Sequence, residues 1–207
     1  MGDLGVSLSQ QVPVRDIITQ RMWATIELAI GGWAFAILLG IPTGVLAAVK
    51  RGTFWDYIAR TVAIVGQGAP PFVIGLLLIV IFAVWLQDTP FELPAGGRPP
   101  VFNFKTYILP CIALGWPAAA GLMRLTRSAM LEVLDSEFVK LARAKGVGWN
   151  KVIYKHALKN ALITPLTSAL LLFSGWLNGA LVIEIIFGWP GIGYDLSLIH
   201  ISEPTRP

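Results

Sequence analysis

"TVAIVGQGAPPFVIGLLLIVIFAVWLQ", residues 61–87, runs for 27 positions without an Asp, Glu, Lys or Arg. A helix needs roughly 20 predominantly apolar residues to cross a bilayer, and backbone groups in lipid must bond within their own segment. The stretch therefore reads as a membrane-spanning helix. Three more charge-free runs, 28–49, 106–123 and 160–183, have 22, 18 and 24 residues. A buried soluble core could supply one such run, hardly four in series. Composition agrees: 55% of the residues are hydrophobic and 14% charged, against about 25% charged in soluble domains. The fold class expected is all-α, a polytopic membrane helix bundle with spans near 25–49, 61–87, 106–125 and 160–187.

The placement of charge orients those spans. Lys50 and Arg51 follow the first, and Arg124, Arg127, Lys140, Arg143, Lys145, Lys151, Lys155 and Lys159 follow the third. Positive-inside bias puts segments 50–60 and 126–159 in the cytoplasm and both ends of the chain outside. The net charge of +4 is thereby explained by topology, and no nucleic-acid partner is expected. Residues 1–24 read as an extracytoplasmic lead-in without the basic-then-apolar pattern of a cleavable signal peptide. An outside N-terminus with no span before it leads to the expectation of a further helix upstream.

Two features interrupt the helical pattern. Pro70 and Pro71 remove helix hydrogen bonds inside the second run and should kink or break it. Close packing of small residues and a bend lining a pathway are both compatible with such a break. The second feature is "SEFVKLARAKGVGWNKVIYKHALKN", residues 136–160. Met130, Leu131, Leu134, Phe138, Leu141 and Ala142 recur at three- and four-residue steps, which predicts one amphipathic helix over about 128–145. Gly146 and Gly148 stop it, and a second, basic helix begins near Trp149. Anionic lipid would account for the lysines. An apolar face on a cytoplasmic segment asks instead for a groove on a partner protein.

Candidate chemistry is sparse. His156 and Ser174 could be imagined as base and nucleophile, but no third orienting group or nucleophile-elbow turn accompanies them. A solvated His156 is the simpler reading. His156 and His200 are the only histidines and lack a metal-binding spacing. Cys111, the only cysteine, reads as a packing residue. Arg124 and Arg127 read as side chains snorkelling to the inner interface. Glu27 and Glu184 are ionisable groups within spans and hence functional suspects. Both fall at the outer ends of their spans, where solvation or ion pairing competes with a role at an outer mouth.

The segment "FVKLARAKGVGWNKVIYKHALKNALITPL" (138–166) resembles the cytoplasmic coupling loop, the EAA loop, of ABC-transporter permeases. It is most similar to the dipeptide/oligopeptide/nickel importer branch. An ordered series of further matches covers about residues 2–195. These are "GDLGVSLSQQVPV" (2–14), "ATIELAI" (24–30), "GIPTGVLAAVKRG" (40–52), "GQGAPPFVIGLLLI" (66–79), "LTRSAMLEVL" (125–134) and "FGWPGIG" (187–193). The general loop pattern is met in part. Lys140 and Leu141 stand where it has Glu and Ala, and His156 and Lys159 where it has Ile and Pro. The peptide branch departs in the same way.

The resemblance implies a type I importer permease domain over 25–195, normally with six spans, of which about four are present here. It implies an ATPase-coupling loop with Ala142, Arg143, Ala144, Lys145 and Gly146 at its core, and Gly148 as an extra glycine loosening the turn. The partners implied are a second permease subunit, cytoplasmic ABC ATPases, an extracytoplasmic solute-binding protein and the lipid bilayer of a bacterial or archaeal cytoplasmic membrane. No catalytic residue, metal or cofactor is expected on this chain; ATP and Mg²⁺ belong to the ATPases. Di- or oligopeptides are the expected substrate, with nickel or another small solute as the alternative. An ion-coupled secondary transporter or channel, and a membrane-anchored scaffold, are readings from other classes. The former would want midplane charges and inverted repeats. Residues 196–206, "LSLIHISEPTR", back-translate to a run resembling a transposase sequencing adapter, and 196–207 are expected to be read-through that carries no function.

Overall fold

The computed structural model describes Gly5 and residues 12–99 and 103–195. The tail 196–207 and most of the "GDLG" lead-in, including His200, lie outside the described residues. Along the described residues run α1 (Val14–Val49), α2 (Phe54–Gly68), α3 (Pro71–Ile79), α4 (Phe104–Leu134), α5 (Glu137–Ala144), α6 (Trp149–Lys151), α7 (Leu158–Ala161) and α8 (Ile163–Ile186). Two π-helical turns extend them, Val80–Trp85 after α3 and Val152–Ala157 between α6 and α7. The all-helical expectation holds throughout the described residues.

The spans differ from the expectation in detail. α1 has 36 residues and α4 has 31, and both are long and apolar enough to cross a membrane. α1 starts at Val14, within the expected lead-in, because Pro13 opens the helix and Asp16 in its first turn favours the positive end of the helix dipole. The second expected span is two helices. α2 ends at Gly68, Ala69 is extended (φ −86°, ψ 125°), and α3 begins at Pro71. Pro70 and Pro71 deny the backbone donors that a continuous ladder would need. α4 runs nine residues past the expected end at 125, to Leu134. The amphipathic helix expected over 128–145 is therefore split. Ser136 takes an extended conformation (φ −72°, ψ 154°) and starts α5, with Glu137 in its first turn. Serine is a favoured residue at that position.

The chain divides into two compact units. The first comprises Met1–Gly31, Pro71–Leu114 and Gly175–Pro207. Its core joins Leu28, Leu109, Ile183, Phe187 and Trp189, with Ala24 and Ala113 between them. Trp189 is wholly buried; its indole Nε1–H donates to the Ala24 carbonyl at 2.9 Å, and Tyr107 meets it edge-on at 4.8 Å.

The second unit comprises Gly32–Pro70 and Gly115–Ser174. Here α1 and α4 pack through small residues. A side chain on Gly40 or Gly44 would strike the backbone of Ala119 or Met123, so glycine four residues apart sets the close approach. Val45, Ala48, Met130, Ile153, Ala157 and Ala161 form one core cluster, and Ala47, Ala63, Ala120 and Met123 another.

Candidate functional site

The basic segment of the second unit folds as a hairpin. α5 ends in a Schellman cap. The Val147 N–H reaches back to the Ala142 carbonyl at 3.2 Å, and the Gly146 N–H to the Arg143 carbonyl at 2.9 Å. That cap requires a left-handed residue, and Gly146 has φ +78°. Gly148 then starts α6, and the Arg143 guanidinium stacks 5.0 Å from the Trp149 ring centroid, bracing the corner. The returning arm packs Ile153, Ala157 and Ala161 in one cluster with Val45, Ala48 and Met130, and Val152 is also wholly buried. One arm is thus anchored while the corner stands out. Arg143, Ala144, Lys145 and Gly146 are exposed and Ala142 is half-buried.

The apolar face of α5 is divided. Val139, absent from the sequence-derived stripe, is the wholly buried member. Phe138 and Leu141, three residues apart on one side of the helix, are 45% and 56% exposed. The outward face therefore combines two large apolar side chains with the small and basic residues of the corner. Such a face can seat in a groove.

Elsewhere in the second unit, α4 carries an ion pair that the sequence does not announce. Arg127 Nε donates to Asp56 Oδ1 at 2.7 Å and Nη2 to Oδ2 at 2.9 Å, a two-pronged contact across 71 residues of chain. The Gly52 N–H adds 2.9 Å to Oδ2, and Arg60 Nε lies 3.3 Å from Oδ1. Asp56 is wholly buried. The Arg127 hydrogen bonds hold its carboxyl down at about 2, from an ordinary 3.8, against the upward push of burial. The snorkelling expected of Arg127 is overturned, because a buried carboxylate claims its guanidinium. Arg124 is exposed, as that reading requires. The signal available was that Asp56 is the sole carboxylate of segment 50–60, among Lys50, Arg51 and Arg60.

In the first unit, Glu27 and Glu184 hold separate partners. Glu27 sits at the surface, taking two hydrogen bonds from Arg98 at 3.0 and 2.8 Å and one from the Tyr107 hydroxyl at 3.2 Å. Its ion-pair reading is met. Solvation of Glu184 is not, since the residue is wholly buried. Thr25 Oγ1 donates to its Oε1 at 2.6 Å, and the N–H groups of Gly193 and Tyr194 donate to Oε2 at 2.8 and 3.2 Å. Thr25 Oγ1 in turn accepts from the Ile192 N–H at 3.1 Å. The chain after α8 folds back over its own helix, so the carboxylate that looked terminal is roofed by the "WPGIG" turn. Arg21 and Asp195, 2.7 Å apart, close the same turn.

No other chemistry assembles. His156 is half-buried in the π-helical turn, and its carbonyl accepts from Asn160 Nδ2 at 2.9 Å. The Ser174 side chain lies outside the described residues. Among the described residues, no group of three or more His, Cys, Asp or Glu could hold a metal. Cys111 is half-buried and packs against Gly31.

Comparison with known proteins gives this architecture a context. A model of the family described as binding-protein-dependent transport system inner membrane component matches residues 40–205, a range that runs past Asp195 into the tail. The glutathione transport system permease protein GsiC of Escherichia coli (strain K12) is 38% identical over 192 residues, covering 93% of this chain and 60% of that relative. The dipeptide transport system permease protein DppB of Alkalihalophilus pseudofirmus is 40% identical over 213 residues, covering 93% and 64%. The chain thus spans about three-fifths of the length of the curated relatives it matches. Among solved structures, an amino acid ABC transporter superposes with TM-score 0.64 at 15% identity, over 96% of this chain and 85% of that one. The inward-facing MetNI methionine ABC transporter gives 0.61 at 18% identity, over 91% and 89%. At those identities the likeness concerns the fold alone.

Proposed function

The chain belongs to the family of binding-protein-dependent transport system inner membrane components, and from that premise we propose that it is the translocation subunit of an ATP-driven importer. The observation that carries this reading is the hairpin. It offers Phe138 and Leu141 on an outward face beside an exposed corner, while its other arm is fixed in the core of the second unit. A surface that is apolar outside and rigid behind can receive a partner and pass displacement on. The partner is a cytoplasmic ABC ATPase, and segment 126–159 is the cytoplasmic coupling loop. Ala142, Arg143, Ala144, Lys145 and Gly146 form the docking corner.

The chain itself performs no covalent chemistry. ATP and Mg²⁺ act on the ATPase subunits, whose closure shifts the populations of the two access states through the hairpin. A second permease subunit completes the bundle in the cytoplasmic membrane, and an extracytoplasmic binding protein delivers the solute. Glu27 and Glu184 belong to the outer side, the first as a surface ion pair and the second as an internal support. Di- or oligopeptides are the proposed substrates; relatives named for dipeptide and glutathione transport support that class.

The test uses the full-length protein in proteoliposomes with its second permease, ATPases and binding protein. Gly146→Asp is expected to insert normally, yet lose uptake and lose stimulation of ATP hydrolysis by the binding protein. Normal uptake in that variant would overturn the coupling role.

A further inference from the structure

An apolar groove of about 350 Å³ opens in the second unit, lined by α1, α2 and α4. Leu39, Thr43 and Leu46 form its α1 wall, Trp55 and Val62 its α2 wall, and Trp116 its α4 wall. Thr43 is the one hydroxyl-bearing residue of these six, and its donor is already used. Its hydroxyl donates to the Leu39 carbonyl at 2.6 Å and approaches that of Gly40 at 3.1 Å. A polypeptide laid in the groove would find a few side-chain groups at most, the indole N–H of Trp55 or Trp116 and the Thr43 oxygen, for its many backbone groups, each of which is costly to leave unmet. A hydrocarbon chain needs none.

One end of the groove is cationic. Residues 39, 43, 46 and 50 fall on one side of α1 at steps of four, three and four. The Lys50 N–H still donates to the Leu46 carbonyl at 2.9 Å, so the helical path reaches it. Its ammonium lies 5.8 Å from the ring centroid of Trp55, a wall of the groove. Among the described residues Lys50 forms no ion pair, whereas Arg60 and Arg127 are both committed to Asp56. Phe54, Trp55 and Tyr57 beside it are 72%, 55% and 58% exposed, the aromatic composition that favours a membrane–water interface.

We propose that this groove holds an acyl chain of an anionic phospholipid, with the headgroup phosphate on the Lys50 ammonium. Charge complementarity selects the headgroup, and the apolar walls select the chain. The site is separate from the coupling hairpin and does not depend on the identity of the transported solute.

The test is quenching of tryptophan fluorescence by lipids brominated in the acyl chains, with the full-length protein reconstituted in phosphatidylcholine vesicles. The share due to Trp55 is taken as the difference between the parent protein and Trp55→Phe. Brominated phosphatidylglycerol is expected to quench that share at about fivefold lower mole fraction than brominated phosphatidylcholine, the worth of one lysine at an anionic surface. Lys50→Gln should erase the preference and Lys50→Arg keep it. Equal quenching by the two lipids, or a preference that survives in Lys50→Gln, would overturn the proposal. So would disulfide cross-linking of Val62→Cys to another subunit in a Cys111→Ser background, since a protein would then fill the groove.

Discussion

The two units each contain a tight chain reversal and a wholly buried carboxylate, and they combine these parts differently. In the first unit the reversal itself is buried. Glu184 reads it directly, through two backbone N–H groups and the Thr25 hydroxyl, and among the described residues it pairs with no cation. In the second unit the α5–α6 corner is exposed and closes by its own backbone bonds. The carboxylate there, Asp56, ties α2 to α4 and is neutralised by arginine. A reversal that must stay fixed is held from inside by a side chain. One closed by its own backbone is self-sufficient and leaves its side chains free for the partner proposed above. This contrast predicts where damage is structural and where it is functional.

The largest expected effect is at Arg127. Arg127→Met would leave a buried charge without its principal partner, a loss of about 3–5 kcal/mol. Asp56→Asn combined with Arg127→Met should recover most of it, because the uncompensated charge is gone. Thermal unfolding of the full-length protein in detergent micelles checks both. Acid should break the same pair from the other side, by protonating Asp56. The folded-state value of about 2 lies below the ordinary 3.8, so the pair's contribution is complete above about pH 4. It is lost as pH falls through 2, and Asp56→Asn should remove that acid-dependent step. An unchanged acid profile in Asp56→Asn would show that Asp56 is not held by charge.

Glu184 is expected to come next. Glu184→Ala strands the Gly193 and Tyr194 N–H groups and the Thr25 hydroxyl around a buried site, at about 1–3 kcal/mol for an unsatisfied buried group. Glu184→Gln keeps one acceptor and should lose less. Double substitution tests the contact directly: Thr25→Val should cost distinctly less in a Glu184→Ala background than alone. Fully additive losses would show that the hydroxyl and the carboxylate do not act together.

What the sequence made legible tracks the kind of physics involved. Absent charge is a one-dimensional property, so α1 and α4 and the helical class could be read directly, and Pro70 and Pro71 marked the break before α3. The continuous helix over 128–145 misled because its apolar period runs unbroken across Asp135 and Ser136, while the backbone turns there. Phe138, a member of that stripe, is followed directly by Val139, which is outside it. Which of them faces inward depends on the new direction of α5, so the pattern placed the buried role on the wrong one. The Asp56–Arg127 pair joins residues 71 positions apart, and Glu184 is sealed by a turn that folds back from beyond its own helix. Neither follows from a residue's position along a span. Gly146 was legible because a helix stop needs only local chemistry.

Gly146 is also where the contrast between the two reversals can be broken most cleanly. Its φ of +78° lies in the left-handed region, and nothing lies within 4 Å of where a Cβ would stand. Substitution therefore costs backbone strain and no clash, roughly 1–2 kcal/mol for an ordinary L-residue. Asparagine tolerates that conformation better than valine, so Gly146→Asn should melt close to the parent and Gly146→Val slightly below it. The exposed corner gives transport a different ranking. If the corner seats in a partner, any side chain there meets that partner, and both variants should lose uptake far beyond their loss of stability. If transport instead follows stability, with Gly146→Asn active and Gly146→Val only mildly impaired, the corner is a cap and nothing more. Melting and uptake measured on the same two preparations distinguish these outcomes.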